Sequence, residues 1–240
     1  MALGHVRGLA SPEVEQAQLR ARQLAAEVGD GEGWVRARWG LWRVYCGRAQ
    51  SGQALAAARE LLAAAERDGD GAHLLQAHHA LWSRMLFRGD FVDAREHAEK
   101  GRSLYDPERH AGHAFVYGGH DPGECALNQG GNAPWFLGHP EQALRWHDEA
   151  LALSERLGLP QAVAHTLNWT AIRGQLAGDL PQLETQVERL ARLAGEHGFA
   201  NWFLEARARA GWIAARRGAA RRDRDRDRGA LGPMRRCLDQ

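Results

Sequence analysis

The feature that most constrains this chain is a recurrence of about forty residues. The positions that close one amphipathic stretch before a short polar turn are Ala49, Gly89, Gly138, Gly178 and Gly218, spaced 40, 49, 40 and 40 apart. Five residues beyond the first four lie Ala54, Ala94, Ala143 and Leu183, and twelve beyond lie Leu61, Gly101, Ala150 and Leu190. Small or apolar residues at fixed offsets mark places where paired helices approach closely. Seven residues before the landmarks come Trp42, Trp82, Gly131, Ala171 and Gly211, a slot alternating between large and small. Gly-Asp, Gly-His-Pro, Asp-Pro and Leu-Pro pairs punctuate the stretches where helices must stop and restart. A unit that cannot bury its apolar face alone must stack on its neighbours.

This pattern predicts helices near 12–28, 32–48, 51–67, 71–88, 91–104, 122–137, 140–157, 160–177, 180–197 and 200–217. The expected fold is all-α: a tetratricopeptide-like α-solenoid of antiparallel helix pairs, with about ten helices and a period of about 40 residues. Composition agrees, because 42 Ala, 30 Arg and few β-branched residues favour helices over strands. The helical repeat domain is expected over 1–218 and a disordered tail over 219–240, where Arg221–Arg228 alternates Arg with Asp and lacks any apolar periodicity. The 49-residue spacing places an insertion between Asp106 and Gly123, expected as a long projecting loop. Gly130, Gly131 and Pro134 predict that the helix after it kinks or begins late.

The segments Leu104-Tyr-Asp-Pro-Glu-Arg-His, Ala-Phe-Val-Tyr-Gly-Gly-His-Asp-Pro-Gly-Glu-Cys, Trp135-Phe-Leu-Gly-His-Pro-Glu-Gln-Ala-Leu and Glu196-His-Gly-Phe carry a likeness. Over roughly residues 9–218 the chain resembles the C-terminal tetratricopeptide-like region of bacterial regulators with an adenylate/guanylate cyclase domain and an AAA (STAND-type) ATPase ahead of the repeats. The resemblance implies a regulatory array in signal transduction that senses a partner or ligand, and no catalysis in this part. Cyclase and ATPase segments are absent from this sequence, which reads as a fragment or stand-alone remnant. A cyclase/ATPase domain is then one expected protein partner.

Several chemistries are disfavoured by the residues themselves. Lys100 is the single lysine, so no GxxxxGK[ST] phosphate loop exists. Residues 207–240 carry 11 basic and 4 acidic groups, leaving 20 − 26 = −6 for residues 1–206, and an acidic body has no long-range attraction for nucleic acid. No long apolar run suggests a membrane span, and the expected setting is cytoplasmic, with the three cysteines reduced. No cofactor is expected.

Thirteen, ten and six residues before each landmark should face the inner side of a solenoid. That register nominates Arg36, Trp39, Arg43, Gln76, His79, Asn128, Asn132, His165 and Asn168 as groove residues for a protein or peptide, with side-chain amides able to donate and accept at once. The expected function is therefore a non-catalytic scaffold, not an enzyme. The alternative is a metal-dependent enzyme centred on the His110–Cys125 loop, with His110, His113, His120 and Cys125 as ligands, although their spacing matches no familiar zinc motif. The adjacent His78 and His79 are expected to be one packed and one exposed. The last helix, bearing Trp202, Phe203, Leu204, Trp212 and Ile213, lacks a following partner, so self-association through 200–217 is expected.

Overall fold

A computed structural model describes residues 10–217 except Ala111 and Gly119. Gly218 and the tail expected over 219–240 lie outside the described residues. Among them there are twelve helices and no strand: α1 (Pro12–Val28), α2 (Gly31–Gly47), α3 (Ser51–Asp68), α4 (Gly71–Arg88), α5 (Phe91–Leu104), α6 (His113–Tyr117), α7 (Pro122–Asn128), α8 (Asn132–Phe136), α9 (Pro140–Leu157), α10 (Pro160–Ala177), α11 (Leu180–His197) and α12 (Ala200–Arg216). The fold is all-α and repeat-like, with consecutive helices packed as antiparallel neighbours.

Local chemistry fixes the helix ends. Ser11, Asp30, Asp70, Asp121 and Asp179 accept from backbone N–H groups in the first turns of α1, α2, α4, α7 and α11, satisfying donors with no intrahelical partner. The opposite ends turn through left-handed backbone. Gly29, Gly69, Gly158 and Gly198 (φ 65–73°) close α1, α3, α9 and α11, and Gly89 (φ 85°) closes α4. At the equivalent turn after α2 the chain reaches φ 56° with Ala49, where a Cβ is strained.

The repeat register is visible in the packing. Ala54, Ala94, Ala143 and Leu183 are fully buried, as are Ala150 and Leu190, with Leu61 nearly so. Trp82 of α4 is sealed against α5, where any Cβ at Gly101 would overlap its indole. Glycine at this offset is thus a requirement of close helix approach rather than a break.

The chain divides into two compact units at Thr166/Leu167, inside α10. Unit 1 holds two apolar clusters, one around Trp39, Leu41, Leu55 and Leu81 and another around Leu75, Trp82, Leu127 and Trp146. Unit 2 buries Leu183, Val187 and Leu190 of α11 with Ala206 and Ile213 of α12, and Leu183 packs on Gly174 of α10.

Three expectations need correction. The Asp106–Gly123 insertion does not project: it forms α6 and folds back, burying His110, Ala114 and Tyr117, and the Tyr117 carbonyl accepts from Trp39 Nε1 of α2. The helix expected over 122–137, with the interruption that Gly130, Gly131 and Pro134 predict, is two short helices, α7 and α8, parted at Gly130 and Gly131. There, Cβ atoms would collide with Ala98 of α5 and His147 of α9 respectively. In α12, Ile213 is buried rather than exposed, and Arg216 lies over the half-buried Trp212 ring at 5.2 Å. Phe203 and Leu204 remain the open apolar side chains of that helix.

Candidate functional site

The nominated inner residues converge in unit 1, but as a closed polar interior rather than an open groove. Gln76 and His79 sit one helical turn apart on α4, Asn128 ends α7, Asn132 begins α8 and His165 lies on α10; all five are buried. Trp39 is also buried, its ring 4.9 Å from that of His79. Arg43 is half-buried beside Gly118, and Arg36 is the open member of the set. Asn168 belongs to unit 2, where its carbonyl accepts from Arg209 Nη2 at 3.3 Å.

The deepest group is Glu124 on α7, which the sequence reading did not single out. It is fully buried, and its Oε1 accepts from Asn128 Nδ2 (2.7 Å) and Thr166 Oγ1 (2.7 Å), while Oε2 lies 3.2 Å from His165 Nδ1. Burial pushes the carboxyl well above its usual range and holds His165 down to about 3. Burial thus works against charge on both partners, since an ion pair here would lose two hydration shells. Its one legible signal was the Asp121-Pro-Gly-Glu124 start of α7. Asp121, capping Gly123 and Glu124 N–H groups, is itself raised to about 6, chiefly by burial.

Around this acid runs a chain of histidines. His120 stacks on His165 with centroids 4.3 Å apart, and its Nε2 lies 3.2 Å from His79 Nε2. His79 stacks on Trp82 at 4.6 Å, and its Nδ1 lies 3.3 Å from Gln76 Oε1. Gln76 Nε2 in turn lies 2.7 Å from His113 Nδ1. Desolvation holds His79 and His120 well below the ordinary imidazole value and His113 at about 4.

Of the four residues nominated as metal ligands, only His120 and Cys125 come together, and the third member of their cluster is His79. The donor atoms of these three lie within 4.8 Å of one another. His110 and His113 form a separate pair, rings 4.8 Å apart, with His110 Nδ1 accepting from the Asp106 N–H at 3.0 Å. His78 is buried like His79, against the expectation of one exposed ring. Its Nδ1 faces His97 Nδ1 of α5 at 2.9 Å, because α4 is covered on both sides.

An open cleft of about 340 Å³ adjoins this interior. Glu32 and Arg36 of α2, Asp70 and His73 at the start of α4, and His113 and Tyr117 of α6 line it. The insertion thus supplies one wall and Arg36 another.

No family model matches the chain. Over 143 residues, 60% of this chain, it is 24% identical to a protein of Rhizobium meliloti (strain 1021) named Uncharacterized protein R02095, and it spans 14% of that relative's length. Among solved structures, the crystal structure of BtubC (BKLC) from P. vanneervenii is similar with a TM-score of 0.64 and 18% identity, covering 91% of each chain. That likeness is one of fold: both are helical-repeat-like arrangements.

Proposed function

We propose that this chain is a non-catalytic helical-repeat module that recognises a protein or peptide partner, or senses a ligand, as part of a signal-transduction assembly. The observation that carries this reading is the cleft walled by α2, α4 and α6. It is open, charged in both senses by Glu32, Arg36 and Asp70, and roofed by the one segment that departs from the repeat. Segments that connect regular elements often carry binding residues. The inner polar row behind it is buried and hydrogen-bonded, so it shapes the cleft instead of meeting the ligand.

The setting is cytoplasmic, and the partner is a cyclase or ATPase domain of a larger regulator. Similarity to a short stretch of a much longer protein supports a module of that kind. No helix among the described residues is long and apolar enough to cross a membrane. Self-association through 200–217 rests on Phe203 and Leu204 of α12, each 39% exposed. Selection of displayed random peptides against the full chain tests the main reading. A consensus that binds the wild type and is lost in Arg36→Glu supports it. No enriched consensus, or equal binding by Arg36→Glu, speaks against this cleft.

A further inference from the structure

His79 and His120 face each other through their Nε2 atoms, 3.2 Å apart. His79 Nδ1 points at Gln76 Oε1, an orientation set by the other end of that amide, which donates toward His113. Where Nδ1 carries the proton on both rings, the two Nε2 lone pairs stand 3.2 Å apart. One Nε2–H donating to the other satisfies the pair without an ion, and the other tautomers leave both lone pairs free to share one cation.

The third donor is Cys125 Sγ, buried on α7 within 4.8 Å of both nitrogens. Beside it lies the fully buried Trp82 Nε1–H, which has the Cys125 sulfur as its neighbour and no oxygen or nitrogen acceptor. A neutral thiol is a poor acceptor for that donor, whereas a thiolate would satisfy it. Two nitrogens bound tetrahedrally at about 2.0–2.1 Å from one ion stand roughly 3.3 Å apart, close to the separation found here.

We propose that His79 Nε2, His120 Nε2 and Cys125 Sγ bind one borderline-soft transition-metal ion, with zinc the ion this donor set suits and a fourth position left to water. Imidazole and thiolate donors select zinc over magnesium or calcium. Binding releases the Cys125 thiol proton to solvent, leaving a thiolate on the ion and an acceptor for Trp82. Gln76 Oε1 fixes the His79 ring from behind, as outer partners do in metal sites. The ion would join α4, α7 and the strand of chain leading into α7, pinning the insertion to the repeat. This inference does not depend on the partner-binding reading.

The test uses the full chain, stripped with a chelator under reducing conditions and titrated with cobalt(II) and then zinc. One equivalent of cobalt should give tetrahedral visible bands and a thiolate-to-cobalt charge-transfer band, both erased by zinc. Cys125→Ala should lose the charge-transfer band, and His120→Gln should weaken zinc at least about tenfold in competition with a chromophoric chelator. His110→Gln should change neither. Because Cys125→Ala can fail to fold, a Cys46→Ala/Cys237→Ala double variant makes the complementary test: it should keep the band. No charge-transfer band in the wild type, or its loss in that double variant, overturns the site.

Discussion

At the scale of single residues, the turn after α2 stores strain that its counterparts avoid. Ala49 takes φ 56° where Gly89, Gly138 and Gly178 stand in the other repeats. A left-handed alanine crowds its Cβ against backbone, and glycine removes that contact at some cost in unfolded-chain entropy. Ala49→Gly should therefore stabilise the fold by about 0.5–1 kcal/mol, read as a higher urea midpoint; a lower midpoint would show that the turn carries no strain. His113 supplies a pH dependence. Its pKa is depressed to about 4 by burial and by neighbouring His110, so the neutral ring's contribution is complete above the unfolded value near 6.5. It is lost as pH falls from about 6.5 toward 4. His113→Gln should flatten the fall in urea midpoint across that window, and an unchanged slope would remove His113 from the account.

The elements show what the sequence made legible and what it hid. Nine long helices were predictable because an apolar stripe with a capping residue, a proline start or a glycine stop marks most of them, all local signals. The inward fold of the insertion was not, and the break at Gly130 and Gly131 was legible only as a kink, because both depend on contacts 16 to 78 residues away in the chain. Tyr117 docks on Trp39, and Gly130 and Gly131 let α5 and α9 approach. Register reasoning likewise found Gln76, His79, Asn128 and His165, but read their polarity as exposure. Their hydrogen bonds to one another, and to a buried acid outside the register, make burial tolerable. The glycines make this testable in pairs. Gly130→Ala places a Cβ 2.5 Å from Ala98 Cβ and should destabilise by about 1–3 kcal/mol. Gly195→Ala, exposed in α11 with open space around it, should stabilise by up to about 1 kcal/mol. Equal effects of the two would mean that α5 does not press on the α7–α8 turn.

Across the whole molecule, stability should be uneven in a direction set by where the core lies. In stacked repeats each unit contacts only its neighbours, so local opening is governed by local burial. Both apolar clusters, with Trp39, Trp42, Trp82 and Trp146, belong to unit 1. Among the described residues, unit 2 relies on smaller groups: Leu183, Val187, Leu190 and Ala194 of α11, and Ala206 and Ile213 of α12. It also buries the guanidinium of Arg209, which reaches Glu205 at 2.9 Å and the Asn168 carbonyl at 3.3 Å. A buried cation held partly by an exposed carboxylate adds less than an apolar side chain of equal size. Amide hydrogen exchange followed by mass spectrometry should therefore show α11 and α12 exchanging well before α3 and α4. Arg209→Leu should slow exchange in α11 and α12 while leaving α3 and α4 unchanged. Uniform protection from α3 to α12, or faster exchange in Arg209→Leu, would show that the ion pair, not the apolar contact, holds this end together.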